Sequence, residues 1–186
     1  KFAKRNNVEI SEDLFGSNYA YAWEDFYDFI EKYDLVTSVI HTPEDYNELT
    51  YNYLKECAEN NVVYVEAMIS STHAKQKGMT YQSFLEGVSD GARQAENEFG
   101  IVSKYIMNGI RHLGAESVQN TAEEVLKNPH NDLVGFGLAG DELHFPPKLF
   151  TKTFDMLKEA QFPITVHAGE WDGPEKIRDA ISLLHP

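Results

Sequence analysis

The stretch 163–171, which reads PITVHAGEW, joins a short apolar run to side chains that can do chemistry. Residues 163–166 are mostly β-branched, as in buried strands. His167 follows them, and two small residues separate its imidazole from the carboxylate of Glu170. At the end of a parallel strand this pair suits a metal ligand beside a general acid or base. On spacing alone, it equally suits a solvated histidine or one that packs in the core.

A second segment of interest lies upstream and reads LAGDE over 138–142, with Gly140 before two acids. The two segments, in this order and at this spacing, resemble the purine-contacting strand end and the HAGE segment of the adenosine deaminase family. That family belongs to the metal-dependent amidohydrolase superfamily. The segments 64–66 and 107–111 are also similar to earlier strands of the family, so the resemblance runs through essentially the whole chain.

The resemblance implies roles for individual residues. His167 would be a zinc ligand that projects from a strand end, and neutral imidazole suits Zn²⁺. Glu170 would be the proton donor to purine N1, a role that requires a buried, protonated carboxyl group. Gly140 would offer its backbone N–H to purine N3, with no side chain to block the approach. Asp141 and Glu142 are given a supporting role in the loop.

The reaction implied by the resemblance is zinc-dependent hydrolytic deamination of adenosine or deoxyadenosine, in purine salvage. In that reaction an activated water displaces the amino group at purine C6, giving inosine and ammonia from adenosine. The small-molecule partner would be a purine nucleoside, because LAGDE looks more like the nucleoside enzymes than the free-base enzymes. A deaminase of adenine or of a modified aminopurine nucleoside is the alternative within the same family.

Other functional residues of the family are missing from this sequence. The family has a His-x-His pair on its first strand, a histidine on its sixth and an aspartate pair on its eighth. A catalytic zinc needs about three protein ligands, and only one candidate is present. We therefore expect 1–186 to be an internal fragment of a single domain, truncated at both ends and inactive by itself.

The composition narrows the class of protein further. The chain has 186 residues, a hydrophobic fraction of 42% and a net charge of −14. Such a chain is globular, and its negative charge argues against nucleic acid or an anionic membrane as a partner. No apolar run approaches the roughly 20 residues of a membrane span. The single cysteine, Cys57, fits a reducing compartment, and we expect a cytoplasmic protein of unknown oligomeric state.

The elements that must position the chemistry follow a βαβ pattern. Predicted strands begin near Val62, Ile101, Leu133 and Pro163, about 30 to 40 residues apart, with a helix between each pair. Right-handed crossovers would make these strands parallel. A (β/α)₈ barrel needs eight such units. The sequence thus predicts an α/β fold, a partial TIM barrel with roughly strands 2–5 and the helices that follow strand 1.

Several local predictions accompany this fold. Apolar spacing predicts a helix over Ala22–Tyr33, and Thr42 is predicted to cap the next helix. The stripe of Tyr46, Leu49, Tyr53 and Cys57 on that helix is interpreted as core. His73 is interpreted as a surface residue in a loop. Arg111 is interpreted as a partner in a surface salt bridge, with orientation of loop carboxylates as the alternative.

Two other classes of protein stay open on the sequence. One is a non-catalytic α/β binding module with an open, five-stranded, doubly wound sheet, although no glycine-rich phosphate loop follows any strand. The other is a degenerate relative that is kept for protein contacts. Stoichiometric zinc in the full-length protein would count against both.

Overall fold

The computed structural model describes residues 1–11, 14–15 and 21–186. Eight helices and three strands alternate along these residues. In chain order they are α1 (Phe2–Arg5), α2 (Phe26–Thr37), α3 (Pro43–Glu59), β1 (Tyr64–Ile69), α4 (Thr72–Gln76), α5 (Tyr81–Phe99), β2 (Val102–Ile110), α6 (Ala115–Lys127), β3 (Leu133–Ala139), α7 (Thr151–Glu159) and α8 (Pro174–Leu184), with 3₁₀ turns at Arg111–Leu113 and Pro147–Leu149.

The three strands form one parallel sheet in the order β1-β2-β3. The predicted fourth strand lies next to β3, but it is shorter than expected. Its main chain forms a parallel bridge between Ile164 and Phe136, and the N–H of Thr165 donates to the carbonyl of Phe136 at 2.9 Å. The N–H of His167 then donates to the carbonyl of Leu138 at 3.0 Å, which aligns His167 with the end of β3.

Local sequence signals set several helix ends, among them the predicted cap at Thr42. The side chain of Thr42 accepts a hydrogen bond from the N–H of Asp45 and forms a capping box with it at the start of α3. Thr80 caps α5 in a similar way, and Gly100 ends that helix in the left-handed conformation with φ +74°. These signals act within a few residues, so the sequence carries them fully.

A large buried apolar cluster includes residues of β2, β3, α5, α6 and α7, and α3 packs on α5. Tyr46 packs edge-on against Phe84, with ring centroids 4.7 Å apart. Two glycines of α5 allow the helices to approach closely, since a Cβ on Gly87 would meet the carbonyl oxygen of Pro43 at 2.4 Å. The interpretation of the α3 stripe is only partly correct. Tyr46 is buried, but Leu49 and Tyr53 are exposed.

Three predicted boundaries are wrong. The helix α2 begins at Phe26 rather than at residue 22, because the side chain of Asp25 caps it by accepting the N–H of Asp28. The strand β1 begins two residues later than predicted. The helix α6, for which the sequence predicts a start at roughly Thr121, begins six residues earlier at Ala115, because the turn at Gly114 precedes it directly.

In the part of the chain that the structure describes, no helix is both long and apolar enough to cross a membrane.

Candidate functional site

A cavity of about 280 Å³ lies at the carboxyl ends of the parallel strands. The helix α2 lines one side with aromatic and aliphatic side chains, and the strand ends and following turns supply polar ones. Carboxyl ends of parallel strands are where α/β proteins collect ligand-binding residues. The lining residues are Phe26, Phe29, Ile30, Tyr33, Asp34, Met68, Ile69, Ser70, Asn108, Ile110, His112, Ala139, Gly140, His167 and Glu170.

The three residues singled out from the sequence all line this cavity. His167 is held by its main chain, since its N–H donates to Leu138 and its carbonyl accepts from the guanidinium of Arg111. Its ring nitrogen Nε2 lies 3.0 Å from the sulfur of Met68, and Nδ1 lies 3.5 Å from a carboxylate oxygen of Glu170. The imidazole and the carboxylate are therefore neighbours, as the motif spacing predicted.

Glu170 differs from expectation in its burial. A proton donor of the expected kind needs a buried carboxyl group, but the side chain of Glu170 is 47% exposed. The described residues leave one side of this carboxylate open to solvent. Any burial of Glu170 must come from a substrate or from groups outside the described residues.

Gly140 ends β3 in a backbone conformation that favours glycine, with φ +100°. A Cβ at this position would lie 2.7 Å from Nδ1 of His112. The missing side chain therefore lets the His112 ring lie directly against the strand end.

The acidic pair after Gly140 holds the surrounding loops. Glu142 is 2% exposed, and its carboxylate accepts the N–H groups of Gly169 and Trp171, each at 2.8 Å. Burial acts to raise the pKa of Glu142, but these hydrogen bonds outweigh it and lower the pKa overall. Asp141 accepts the N–H groups of Leu143 at 2.9 Å and of the following residue at 3.0 Å. The two carboxylates thus hold the main chain of the loops around them.

Arg111 is completely buried, so its interpretation as a surface salt bridge is wrong. The guanidinium donates to the carbonyl of Phe145 at 3.1 Å and to that of His167. Burial lowers its pKa, and the nearby carboxylates of Glu142, Glu170 and Asp141 oppose this shift. Arg111 therefore links the turn after β2 to the loop after β3 and to the end of the segment 163–167.

His73 was predicted on the surface, and that interpretation is also wrong. It is 9% exposed, and its Nε2 lies 2.9 Å from Oδ1 of Asp34 on α2. His112, from the turn after β2, places Nε2 3.7 Å from Oδ2 of the same carboxylate. Sequence reasoning missed Asp34 altogether, because no local spacing links residues 34, 73 and 112.

The described residues do not form a zinc site by themselves. Among residues 1–11, 14–15 and 21–186, no group of three or more His, Cys, Asp or Glu side chains is placed to hold a metal ion. His167 supplies one imidazole, and its nearest sulfur neighbour is a thioether rather than a thiolate. Since a catalytic zinc needs about three protein ligands, this part of the chain could contribute at most part of a site.

The fold and the cavity place the chain among the α/β proteins whose ligand site lies at the carboxyl ends of parallel strands. A family model described as adenosine deaminase matches residues 1–186. The chain belongs to the adenosine deaminase family.

Several sequence relatives are named for the free base adenine. An adenine deaminase of Rhizobium leguminosarum bv. trifolii is 38% identical over 184 residues, which is 99% of this chain and 56% of the relative. The crystal structure of an adenine deaminase from Arthrobacter aurescens matches with a TM-score of 0.85 at 25% identity, and covers 99% of this chain and 56% of that one. The chain thus spans about half the length of these relatives.

Two further solved structures share the fold at lower identity. An amidohydrolase from Burkholderia ambifaria with bound Zn has a TM-score of 0.89 at 24% identity, over 99% of this chain and 51% of its own. An Arabidopsis protein complexed with IMP has a TM-score of 0.75 at 22% identity, over 86% of this chain and 49% of its own. The parallel α/β sheet of this chain therefore matches part of the deaminase structures.

Proposed function

We propose that this chain is part of a longer, zinc-dependent enzyme that hydrolyses the 6-amino group of adenine, giving hypoxanthine and ammonia. The observation that carries the proposal is the 38% identity to an adenine deaminase over 99% of the chain. Adenosine, the substrate first favoured by the sequence, is the second candidate. It is supported by the family model, which is described as adenosine deaminase and covers residues 1–186.

The architecture of the proposed enzyme is a single (β/α)₈ barrel, of which residues 1–186 supply roughly strands 2–5. Two observations support this. Among the described residues, β1 has a partner strand only on the β2 side, and the segment 163–167 has one only on the β3 side. The chain also covers 56% of the length of its relative. In a closed barrel these open edges would pair with strands outside the described residues.

Within that barrel, His167 is proposed as one zinc ligand, with the other ligands outside the described residues. The ion, when bound, would supply an activated water for attack at purine C6. The fit rests on the position of the imidazole at a strand end, beside Glu170 and in the cavity.

The chain's own residues would bind the purine and move one proton. The aromatic side chains of α2, Phe29 and Tyr33 among them, offer apolar faces for the ring. The N–H of Gly140 would donate to purine N3, and Glu170 would deliver a proton to N1. Arg111 and Glu142 would keep the loop of Glu170 in place, since both hold its main chain.

The experiment that tests the proton-donor assignment is Glu170→Gln in the full-length protein. The amide matches the carboxyl group in shape but cannot donate an acidic proton. We expect kcat for adenine to fall at least about 100-fold, with zinc content unchanged. The matched control is Glu175→Gln, an exposed acid in the first turn of α8, which should keep full activity. Full activity of Glu170→Gln would remove Glu170 from the mechanism.

The metal-ligand assignment has its own test. His167→Ala should lose both activity and most of the bound zinc, measured by metal analysis of the purified full-length protein. His185→Ala is the control, because His185 is exposed at the end of α8. Zinc content equal to wild type in His167→Ala would show that this imidazole is not a ligand.

A further inference from the structure

A cluster of three polar side chains lies beside the same cavity, with Asp34 and His112 in its lining, and the proposed reaction does not use it. We name Asp34, His73 and His112 the Asp34 cluster. Asp34 projects from α2, while the two histidines come from α4 and from the turn after β2. Nε2 of His73 lies 2.9 Å from Oδ1 of Asp34, and Nε2 of His112 lies 3.7 Å from Oδ2.

One oxygen of this carboxylate is left to accept a ligand. Oδ1 accepts from His73 at 2.9 Å, whereas Oδ2 has only a long contact of 3.7 Å with Nε2 of His112. The side chain of Asp34 is 39% exposed and lines the cavity, so Oδ2 can be reached from within it. The histidine pair holds the pKa of Asp34 well below its usual range, with His112 the larger influence. The group is therefore an anionic acceptor with no proton of its own to donate.

Further polar atoms in this wall also lack partners. Among the described residues, both ring nitrogens of His112 and Oδ1 of Asn108 are buried without a hydrogen bond. Buried polar groups are seldom left unpaired, and where they line a cavity a polar ligand or water can complete them. Both residues face the same cavity as Asp34. The partly exposed carboxylate of Asp34 is thus an acceptor that lies in one cavity wall with other unpaired polar atoms.

The position of the cluster indicates which edge of a purine it would meet. Nδ1 of His112 lies 2.7 Å from the point where a Cβ of Gly140 would be, so the cluster adjoins the backbone of Gly140. Under the proposed function, the N–H of Gly140 contacts purine N3. In a purine, N3 is flanked by C2, which carries only a C–H, and by C4, which is bonded to N9. A carboxylate beside the N3 contact therefore finds its polar partner at N9. A free base carries hydrogen at N9, whereas a nucleoside carries its sugar there.

We propose that Oδ2 of Asp34 accepts a hydrogen bond from N9–H of the free aminopurine, and that this contact selects the base over its nucleoside. The inference rests on the proposed function. A nucleoside has no hydrogen at N9, so it would leave the carboxylate without its partner and push the sugar towards α2. Sites built to hydrogen-bond a substrate group discriminate strongly against analogues that lack it. His73 is then a positioning residue, because it fixes the carboxylate through Oδ1.

The test compares adenine with 9-methyladenine, which keeps the reacting amino group but has no N9–H. In the full-length wild type, we expect kcat/KM for adenine to exceed that for 9-methyladenine by about 100-fold or more. In Asp34→Asn, which keeps the shape of the side chain, kcat/KM for adenine should fall about 30-fold or more. The value for 9-methyladenine should change by less than about threefold, because that substrate never made the contact.

The matched control is Asp28→Asn on the same helix. Asp28 bonds to Lys32 and to the main chain of Glu24, and it does not line the cavity. We expect kcat/KM for both substrates to match wild type. Circular dichroism and thermal unfolding of both variants check that α2 is intact.

A purely structural cluster gives a different result. If Asp34 only ties α2 to α4, Asp34→Asn should lower kcat/KM for both substrates by the same factor, which would overturn the inference. Unchanged adenine turnover in this variant would overturn it as well. A wild type that prefers adenosine to adenine would overturn the inference and leave aminopurine deamination standing. A wild type that deaminates no aminopurine would overturn both.

A second measurement does not depend on how the variant folds. Hypoxanthine also carries N9–H, and inosine carries a sugar there. Calorimetry on the full-length wild type should show that hypoxanthine binds at least about tenfold more tightly than inosine. Equal or tighter binding of inosine would contradict selection by Asp34.

Discussion

At the scale of the residue, Gly140 links the end of β3 to the His112 ring. Its φ of +100° is a conformation that side chains rarely adopt, and the ring nitrogen Nδ1 lies only 2.7 Å from the point where a Cβ would be. Two separate costs would follow from a side chain here, one from the backbone and one from the displaced ring. Another glycine of the chain allows these costs to be separated.

We expect Gly140→Ala to lower the free energy of unfolding by about 3 kcal/mol, as the sum of backbone strain and overpacking. Gly78→Ala is the matched control, because φ is +82° there and a Cβ would meet nothing within 4 Å. That variant should cost only about 1 kcal/mol, from the backbone alone. Urea unfolding of the full-length protein gives both values. Equal losses would show that the His112 ring does not press against position 140.

Arg111 illustrates what residue identity alone leaves open. An arginine after a strand is usually exposed, because burial of its charge is costly. Here the guanidinium donates to two carbonyl groups, and three carboxylates lie close enough to affect its pKa. The two carbonyl groups belong to loops that lie 34 and 56 residues away in sequence. Only the assembled fold brings them to Arg111.

At the scale of the element, the loop that carries Glu170 is fastened by Glu142. The carboxylate of Glu142 accepts the main-chain N–H groups of Gly169, Trp171 and, at 3.4 Å, Asp172. A single buried side chain thus fixes a turn that has no regular secondary structure. Through Glu142, the loop after β3 thus positions the loop that follows the β-bridge at Ile164.

Replacing this carboxylate should loosen the loop. We expect Glu142→Gln to lower the free energy of unfolding by about 2 kcal/mol. The amide nitrogen would face main-chain N–H groups, and it cannot accept a hydrogen bond from them. Glu123→Gln, which removes a surface ion pair with Lys127 on α6, is the control and should leave stability unchanged.

The effect should depend on pH in a defined direction. The pKa of Glu142 is lower in the folded state than in the unfolded state. The carboxylate therefore contributes fully to stability above the unfolded pKa of about 4.3. This contribution is lost as the pH falls through the folded pKa. The difference between wild type and Glu142→Gln in urea unfolding should therefore shrink below about pH 4. A difference that stays constant down to pH 3 would contradict this role.

The elements also show how far the sequence could predict the fold. The capping residue Thr42, the stop at Gly100 and the parallel order of the strands follow from signals local to each element. The same holds for the neighbouring positions of His167 and Glu170. The burial of His73 could not be predicted, because it depends on Asp34, 39 residues away. The single bridge at Ile164 likewise depends on pairing across the sheet.

At the scale of the whole molecule, the described part of the chain has exposed apolar side chains in two separate places. Val63 is 76% exposed, and Tyr64 and Met68 in β1 are exposed too. On α8, Ile177 and Ile181 are exposed as well. These surfaces lie on β1 and on the last helix of the chain. In the proposed barrel, further strands and helices would cover these surfaces.

The most direct test of the central claim is a rate comparison on the purified full-length protein. Adenine and adenosine are supplied separately, the products are separated by chromatography, and bound zinc is measured on the same sample. The account predicts about one zinc per chain and a higher kcat/KM for conversion of adenine to hypoxanthine than for conversion of adenosine to inosine. A preference for adenosine, or bound zinc without turnover of either purine, would contradict it.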